Sequence, residues 1–257
     1  MKKLHRGGGN PDGEPLSAGR VEYLEAARQR VRRRRLRRTA IILAALILVT
    51  LFATGAVGAS IARVKDLVDT VHIALSPAVG WPQQTGLDNL TAVQPMSGSF
   101  VAMDEDACAV YSLGGTRLAS IQSGYARPAL AAGKTRFVLY NRSGNELRVE
   151  SRTQNLYSKT LENSIYLCAM SDTGTLAVAT DSADSTARLT VYTSTMSEQL
   201  HWDMTGAQGT PVRMAFAADS RRLAVAAVTS SAGQLQANLF VLNLAQGDPV
   251  QLSSGDS

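Results

Sequence analysis

Histidine, cysteine and aromatic side chains are scarce: three, two and 5% of 257 residues. Most common catalytic centres are built from these types, so their scarcity excludes much. His5, His72 and His201 fall in a basic tail, a helical stretch and an outer strand, and a three-ligand zinc site is not expected from them. A Ser-His-Asp arrangement around His201 lacks the G-x-S-x-G elbow that would support it. Cys108 and Cys168 are too few for a disulfide framework and belong to no C-x-x-C pair. Both lie in apolar, strand-like runs and read as small buried hydrophobes, with one disulfide in an oxidising exterior as the alternative. Gly114-Gly115 and Ser143-Gly144 are turn chemistry with no phosphate-binding or dinucleotide fingerprint around them. The acidic turns Asp104-Glu105-Asp106 and Asp181 to Asp184 miss the calcium-loop pattern and read as solvated turns between strands. The expectation is a chain that is not an enzyme, with no catalytic, cofactor-binding or metal-ligating residue and no cofactor.

Charge is also missing from one long stretch. Thr39 to Ala62 carries no charged residue and follows the basic block Arg30 to Arg38. Twenty-four residues at about 1.5 Å each give roughly 36 Å of helix, enough for a hydrocarbon core of about 30 Å. The apolar stretch and the 38 residues ahead of it are both too long for a cleaved signal peptide, so an uncleaved anchor is expected. The positive-inside rule puts residues 1–38 in the cytoplasm and the rest outside, with the C-terminal domain extracytoplasmic. Residues 1–38 hold 12 of the 26 basic residues and 4 of the 21 acidic ones. The high pI therefore belongs to a membrane-proximal tail, whose arginines can attract anionic lipid, and does not argue for nucleic-acid binding. Residues 1–19, rich in glycine, cannot bury enough apolar surface to offset ordering entropy and are expected to be disordered.

Beyond the span, Ile61, Val64, Leu67, Val68, Val71 and Leu75 recur at helical spacing with Lys65, Asp66 and Asp69 between them. Residues 63–95 read as an amphipathic stalk ending before Pro77, then a linker from Gly80 to Gly86. The apolar stripe is expected to pack on the domain that follows, with the bilayer or another copy as alternatives.

From about Met96 to Ser257 short strands repeat. One unit holds Ala129 to Ala131, Arg136 to Tyr140, Glu146 to Glu150 and Asn155 to Ser158. A second answers it with Ile165 to Met170, Leu176 to Ala179, Arg188 to Tyr192 and Gln199 to Trp202. A third reads Val212 to Phe216, Leu223 to Ala226, Asn238 to Leu242 and Val250 to Leu252. A weaker first unit spans Phe100 to Met103, Cys108 to Tyr111 and Arg117 to Ile121. Equivalent positions Phe137, Leu176 and Leu223 lie 39 and 47 apart, and Leu147, Leu189 and Leu239 lie 42 and 50 apart. These intervals suit four-stranded propeller blades, which stack because none can bury both faces alone. The fold expected is mainly β: about four visible blades, preceded by one transmembrane helix.

The turns Ser171-Asp172-Thr173-Gly174 and Ala218-Asp219-Ser220-Arg221 resemble those of WD40-like bacterial propellers. Trp202-Asp203 spells the WD dipeptide but falls on an outer strand. The plan of basic tail, single span and outer propeller resembles an uncharacterised family of single-pass membrane proteins from Gram-positive clostridial bacteria. That resemblance implies a WD40-like extracytoplasmic propeller and supplies no catalytic motif. Because propellers commonly close with six to eight blades, three outcomes are open: a truncated chain, a four-bladed ring, or completion by another molecule. Unpaired edges and an uncovered blade face favour the first. The function expected is a noncatalytic, membrane-anchored binding or scaffold module for a protein, peptide or envelope polymer. The alternatives are a propeller enzyme or quinone-cofactor protein, and a sensor relaying to the basic tail.

Overall fold

The computed structural model describes residues 56–256. The basic tail, including residues 1–19 expected to be disordered, and residues 39–55 of the expected span lie outside them. Among the described residues no helix is long and apolar enough to cross a membrane. The one helix among the described residues, α1, Ala56–Leu75, ends one residue before Ser76, whose amide bonds back to the Ile73 carbonyl at 3.2 Å. Pro77 follows and cannot continue the helical ladder.

Sixteen strands then form four antiparallel four-stranded sheets in simple meander order. The first sheet holds β1 Ala92–Met96, β2 Ser99–Met103, β3 Ala107–Ser112 and β4 Arg117–Gln122. The second holds β5 Pro128–Ala132, β6 Arg136–Asn141, β7 Glu146–Ser151 and β8 Asn155–Thr160. The third holds β9 Ile165–Met170, β10 Leu176–Thr180, β11 Ala187–Tyr192 and β12 Glu198–Met204. The fourth holds β13 Thr210–Phe216, β14 Arg222–Ser231, β15 Gln234–Asn243 and β16 Pro249–Asp256. The predicted units match the last three sheets strand for strand. β1 falls in the stretch read as linker, because Ala-Val-Gln-Pro-Met carries a proline and no apolar run. Pro95 is tolerated there because β1 pairs only with β2, leaving one side of the strand without a ladder.

Three apolar cores join the sheets in sequence. Val101, Met103, Cys108 and Val110 meet Leu130, Phe137 and Leu139 between the first and second. Val138, Tyr140, Leu147 and Val149 meet Cys168, Met170, Leu176 and Val178 between the second and third. Ala177, Ala179, Leu189 and Val191 meet Met214, Leu223, Val225, Phe240 and Leu242 between the third and fourth. None of these cores joins the fourth sheet to the first. Two middle strands, β3 and β10, are buried at every residue and read as unbroken apolar runs for that reason. The outer strands β4, β8 and β12 are largely exposed.

Hairpin turns use a recurrent device. The hydroxyls of Ser112, Ser151, Ser171 and Thr193 accept backbone N–H bonds from Thr116, Gln154, Thr175 and Ser197 at 2.9–3.2 Å. Such side-chain caps supply the partner that a tight turn denies its amides. Gly115 and Gly174 take positive φ in two of these turns. Truncating a side chain wedged between sheets tests the stacking: Leu189→Ala, fully buried, is expected to lower stability by about 2–5 kcal/mol in urea denaturation. Val212→Ala, on the exposed side of β13, is expected to change it by less than about 0.5 kcal/mol.

Candidate functional site

The helix α1 lies against the turns at one end of the sheets, and the face it presents corrects the expectation drawn from its periodicity. Its apolar stripe does not pack on the domain: Val64, Leu67, Val68, Val71 and Leu75 are 50–79% exposed, and among the described side chains of the helix Ile73 is the apolar one that is buried. The polar side docks instead. Asp66 accepts from Arg136 Nε on Oδ1 and faces Arg136 Nη2 with Oδ2, both at 3.2 Å, and the Thr135 hydroxyl donates to the same Oδ2 at 3.2 Å. Arg136 Nη1 continues to the Ser194 carbonyl at 2.7 Å. Arg152 donates through Nη2 to the Asp66 carbonyl at 3.1 Å and to Thr70 Oγ1 at 2.7 Å, and through Nη1 to the Ser97 carbonyl at 2.9 Å. The Thr153 hydroxyl bonds Asp69 at 2.8 Å.

Arg136 and Arg152 are 2% and 1% exposed, so the domain buries two guanidinium groups and must offer them acceptors. Burial pulls the Arg152 pKa down, and Asp69 and Asp66 work against that pull. A wholly apolar helix face would leave each cation with only one loop carbonyl, Ser194 for Arg136 and Ser97 for Arg152. The domain's chemistry therefore selects the acidic side of α1 and turns the valines outward. This ion-pair hub was legible only as interleaved charges, because Arg136 and Arg152 sit in strand-like and turn segments that give no hint of depth.

A second feature is an open groove of about 380 Å³ between the second and third sheets, lined by Lys159, Glu162, Arg188, Tyr192, Glu198 and His201 among others. Its charges pair locally. Arg188 forms a two-bond pair with Asp203 at 2.6 and 2.9 Å, and His201 Nδ1 lies 2.9 Å from Glu198. Lys159 stands over the Tyr192 ring, 4.3 Å from its centroid. The groove can hold a polar segment by hydrogen bonds and charge.

The acidic turns have structural partners. Asp104 is buried, and its carboxylate accepts the amides of Ala107, Asp106 and Asp88 at 2.7–3.0 Å. Burial alone would raise its pKa, but those amides outweigh it and hold the pKa below the usual 3.8. Asp181 accepts the Ser164 amide at 2.8 Å. Among the described residues no group of three or more His, Cys, Asp or Glu is placed to hold a metal. Cys108 and Cys168 are free thiols in different inter-sheet cores. Burial pushes Cys108 up to about 12, and Cys168 well above its ordinary value. His72 and His201 are exposed and on separate elements, and His5 lies outside the described residues. Trp202 of the WD dipeptide is buried against Phe240, 5.2 Å between ring centroids, and Asp203 holds Arg188.

A family model described as Family of unknown function (DUF5711) matches residues 79–250. No curated protein matches. Solved structures similar to the chain include Kluyveromyces lactis Hsv2, at 12% identity and a TM-score of 0.45, covering 60% of this chain and 49% of that one. The Neurospora crassa Pan2 WD40 domain is similar at 10% identity and 0.45, covering 63% and 50%. Kuenenia stuttgartiensis hydrazine synthase is similar at 14% and 0.48, covering 71% and 53%. The chain thus spans about half the length of these proteins, and likeness at this level says nothing of activity.

Three measurements follow from the geometry. Arg152→Met strands the Ser97 and Asp66 carbonyls and is expected to cost about 1–3 kcal/mol in urea denaturation, whereas Val68→Ser stays within about 0.5 kcal/mol. The reverse ranking would mean that the apolar stripe is the docked face. Both thiols are expected to resist a chromogenic disulfide reagent at pH 8 in the folded chain and to react fully in denaturant, since only the thiolate attacks. Asp104 is stabilising above its unfolded pKa and loses that contribution as pH falls through its lower folded value. Asp104→Asn should therefore lower the urea midpoint at pH 6, and the gap to wild type should close at pH values below 3.8.

Proposed function

We propose, since the chain belongs to the DUF5711 family of unknown function, a reading built from its own residues: a noncatalytic binding or scaffold module. It is tethered by residues 39–62 to the cell membrane as a single-pass protein, with residues 1–38 inside and the sheets outside. Its partner is a protein, peptide or envelope polymer. The observation that carries this reading is where the reactive side chains are used. The buried arginines hold α1, Asp104 holds three amides, and both cysteines are sealed in cores. Surface chemistry is left to the mixed-charge groove of Lys159, Glu162, Arg188 and His201, which suits reversible contact with a polar chain.

A second reading, a relay from the outer domain to the tail, is favoured by one observation. α1 begins inside the apolar run and is fixed to the second sheet by the Arg136–Asp66 ion pair and the hydrogen bonds of the buried Arg152. A tether needs only a linker, whereas a relay needs a stiff joint.

Fractionation of the full-length protein, followed by external protease on wall-stripped cells, tests the topology. Digestion of residues beyond 77 with a membrane-retained tail is the expected result, and a protected domain would overturn it. Asp66→Asn separates tether from relay. A plain tether leaves tryptic cleavage at Arg32 to Arg38 in inside-out vesicles unchanged, and a relay changes its rate.

A further inference from the structure

The outward face of the fourth sheet repeats, residue for residue, a face that is buried one sheet earlier. In the third sheet Ala177 and Ala179 on β10 stand opposite Val191 and Leu189 on β11, and all four are 0% exposed because the fourth sheet covers them. In the fourth sheet Ala224 and Ala226 on β14 stand opposite Val241 and Leu239 on β15. The residue types and their pairing are the same. The Leu-x-Val of the third strand also occurs in the second sheet, as Leu147 and Val149, buried at 1% and 2% by the third sheet. At Leu239 and Val241 the same pair is only half-buried. Val250 extends the patch opposite Val241 and is 59% exposed.

We infer that this face is a docking site for a fifth four-stranded β-sheet from outside these 257 residues. It would stack on the fourth sheet as the fourth stacks on the third, with large apolar residues at the positions equivalent to Met214, Leu223, Val225 and Phe240. Repetition of the buried pattern is what specifies a sheet. A lipid-facing patch has no need of the small alanines, which in the third sheet let the large side chains of the next one approach. A second copy of this chain does not offer the complementary face at its first sheet. There Phe100 and Tyr111 are covered by Trp81, at ring-centroid distances of 5.7 and 5.8 Å, and Tyr111 donates to the Thr85 carbonyl at 3.1 Å.

The test is a chimera of the full chain followed by a second copy of residues 208–257, whose inner face is the one that already fits the Ala-Leu-Val pattern. Stacking predicts a rise in Tm of about 5 °C or more and hydrogen exchange at Leu239 and Val241 slowed at least tenfold. Leu239→Asp should abolish both gains in the chimera while leaving the Tm of the parent chain within about 2 °C. A chimera with unchanged Tm, or with the added segment cut by protease as fast as unfolded chain, overturns the inference. So does a parent chain that forms dimers in detergent by analytical ultracentrifugation and loses them on Leu239→Asp, because a second copy would then own the face.

Discussion

Each sheet in the stack has two faces to bury, and the arrangement of the domain follows from how each face finds its cover. Alternation along a strand assigns odd and even residues to opposite neighbours. In β10, Leu176 and Val178 serve the second sheet while Ala177 and Ala179 serve the fourth. A one-residue slip would exchange the two sets and set large side chains where small ones are needed on both sides at once. The register is therefore over-determined in the middle of the stack, and the fully buried middle strands are the result.

The ends of the stack solve the same problem differently. At the first sheet the segment from Pro77 to Thr91 lies over the free face, held by the Trp81 ring and by backbone bonds such as Val79 and Gly80 to the Gly114 carbonyl at 3.0 and 2.9 Å. Gly115, with φ of 86°, permits that approach, since any side chain there would collide with the Gly80 backbone. At the fourth sheet no described segment plays this part. Its strand β14 alternates between buried and half-buried residues, the signature of a sheet covered on one side.

Much of this was legible in the amino-acid order, and the physics says why. Equivalent leucines at repeating intervals report positions that every sheet must fill with the same volume, so the second, third and fourth sheets could be read strand by strand. Proline hid β1, because a strand that needs only one ladder can dispense with apolar continuity. The cover over the first sheet was read as a linker, since its contacts are one tryptophan and a series of backbone bonds. The orientation of α1 was the real failure. A valine stripe ordinarily predicts the buried side of a helix, and the expectation holds only where the surface beneath is apolar. Beneath α1 lie Arg136 and Arg152, and two buried guanidinium groups outweigh five aliphatic side chains, because each unpaired cation costs more than an exposed valine gains on burial.

The distribution of these anchors makes the four sheets unequal. Bonds from α1 and its arginines reach Ser97 in the turn of the first sheet, Thr135 and Thr153 in the second, and Ser194 in the third. None of these bonds involves the fourth sheet, which is held by its apolar core with the third and by hydrogen bonds such as Gln199 to the Leu244 carbonyl. Local opening free energy follows the number of independent restraints on an element. The clasped sheets form the firmer unit, and the fourth is the one whose stability depends most on what covers its second face. The helix thus grips the first three sheets through their turns, and the fourth keeps its apolar core with the third and a second face that no described segment covers.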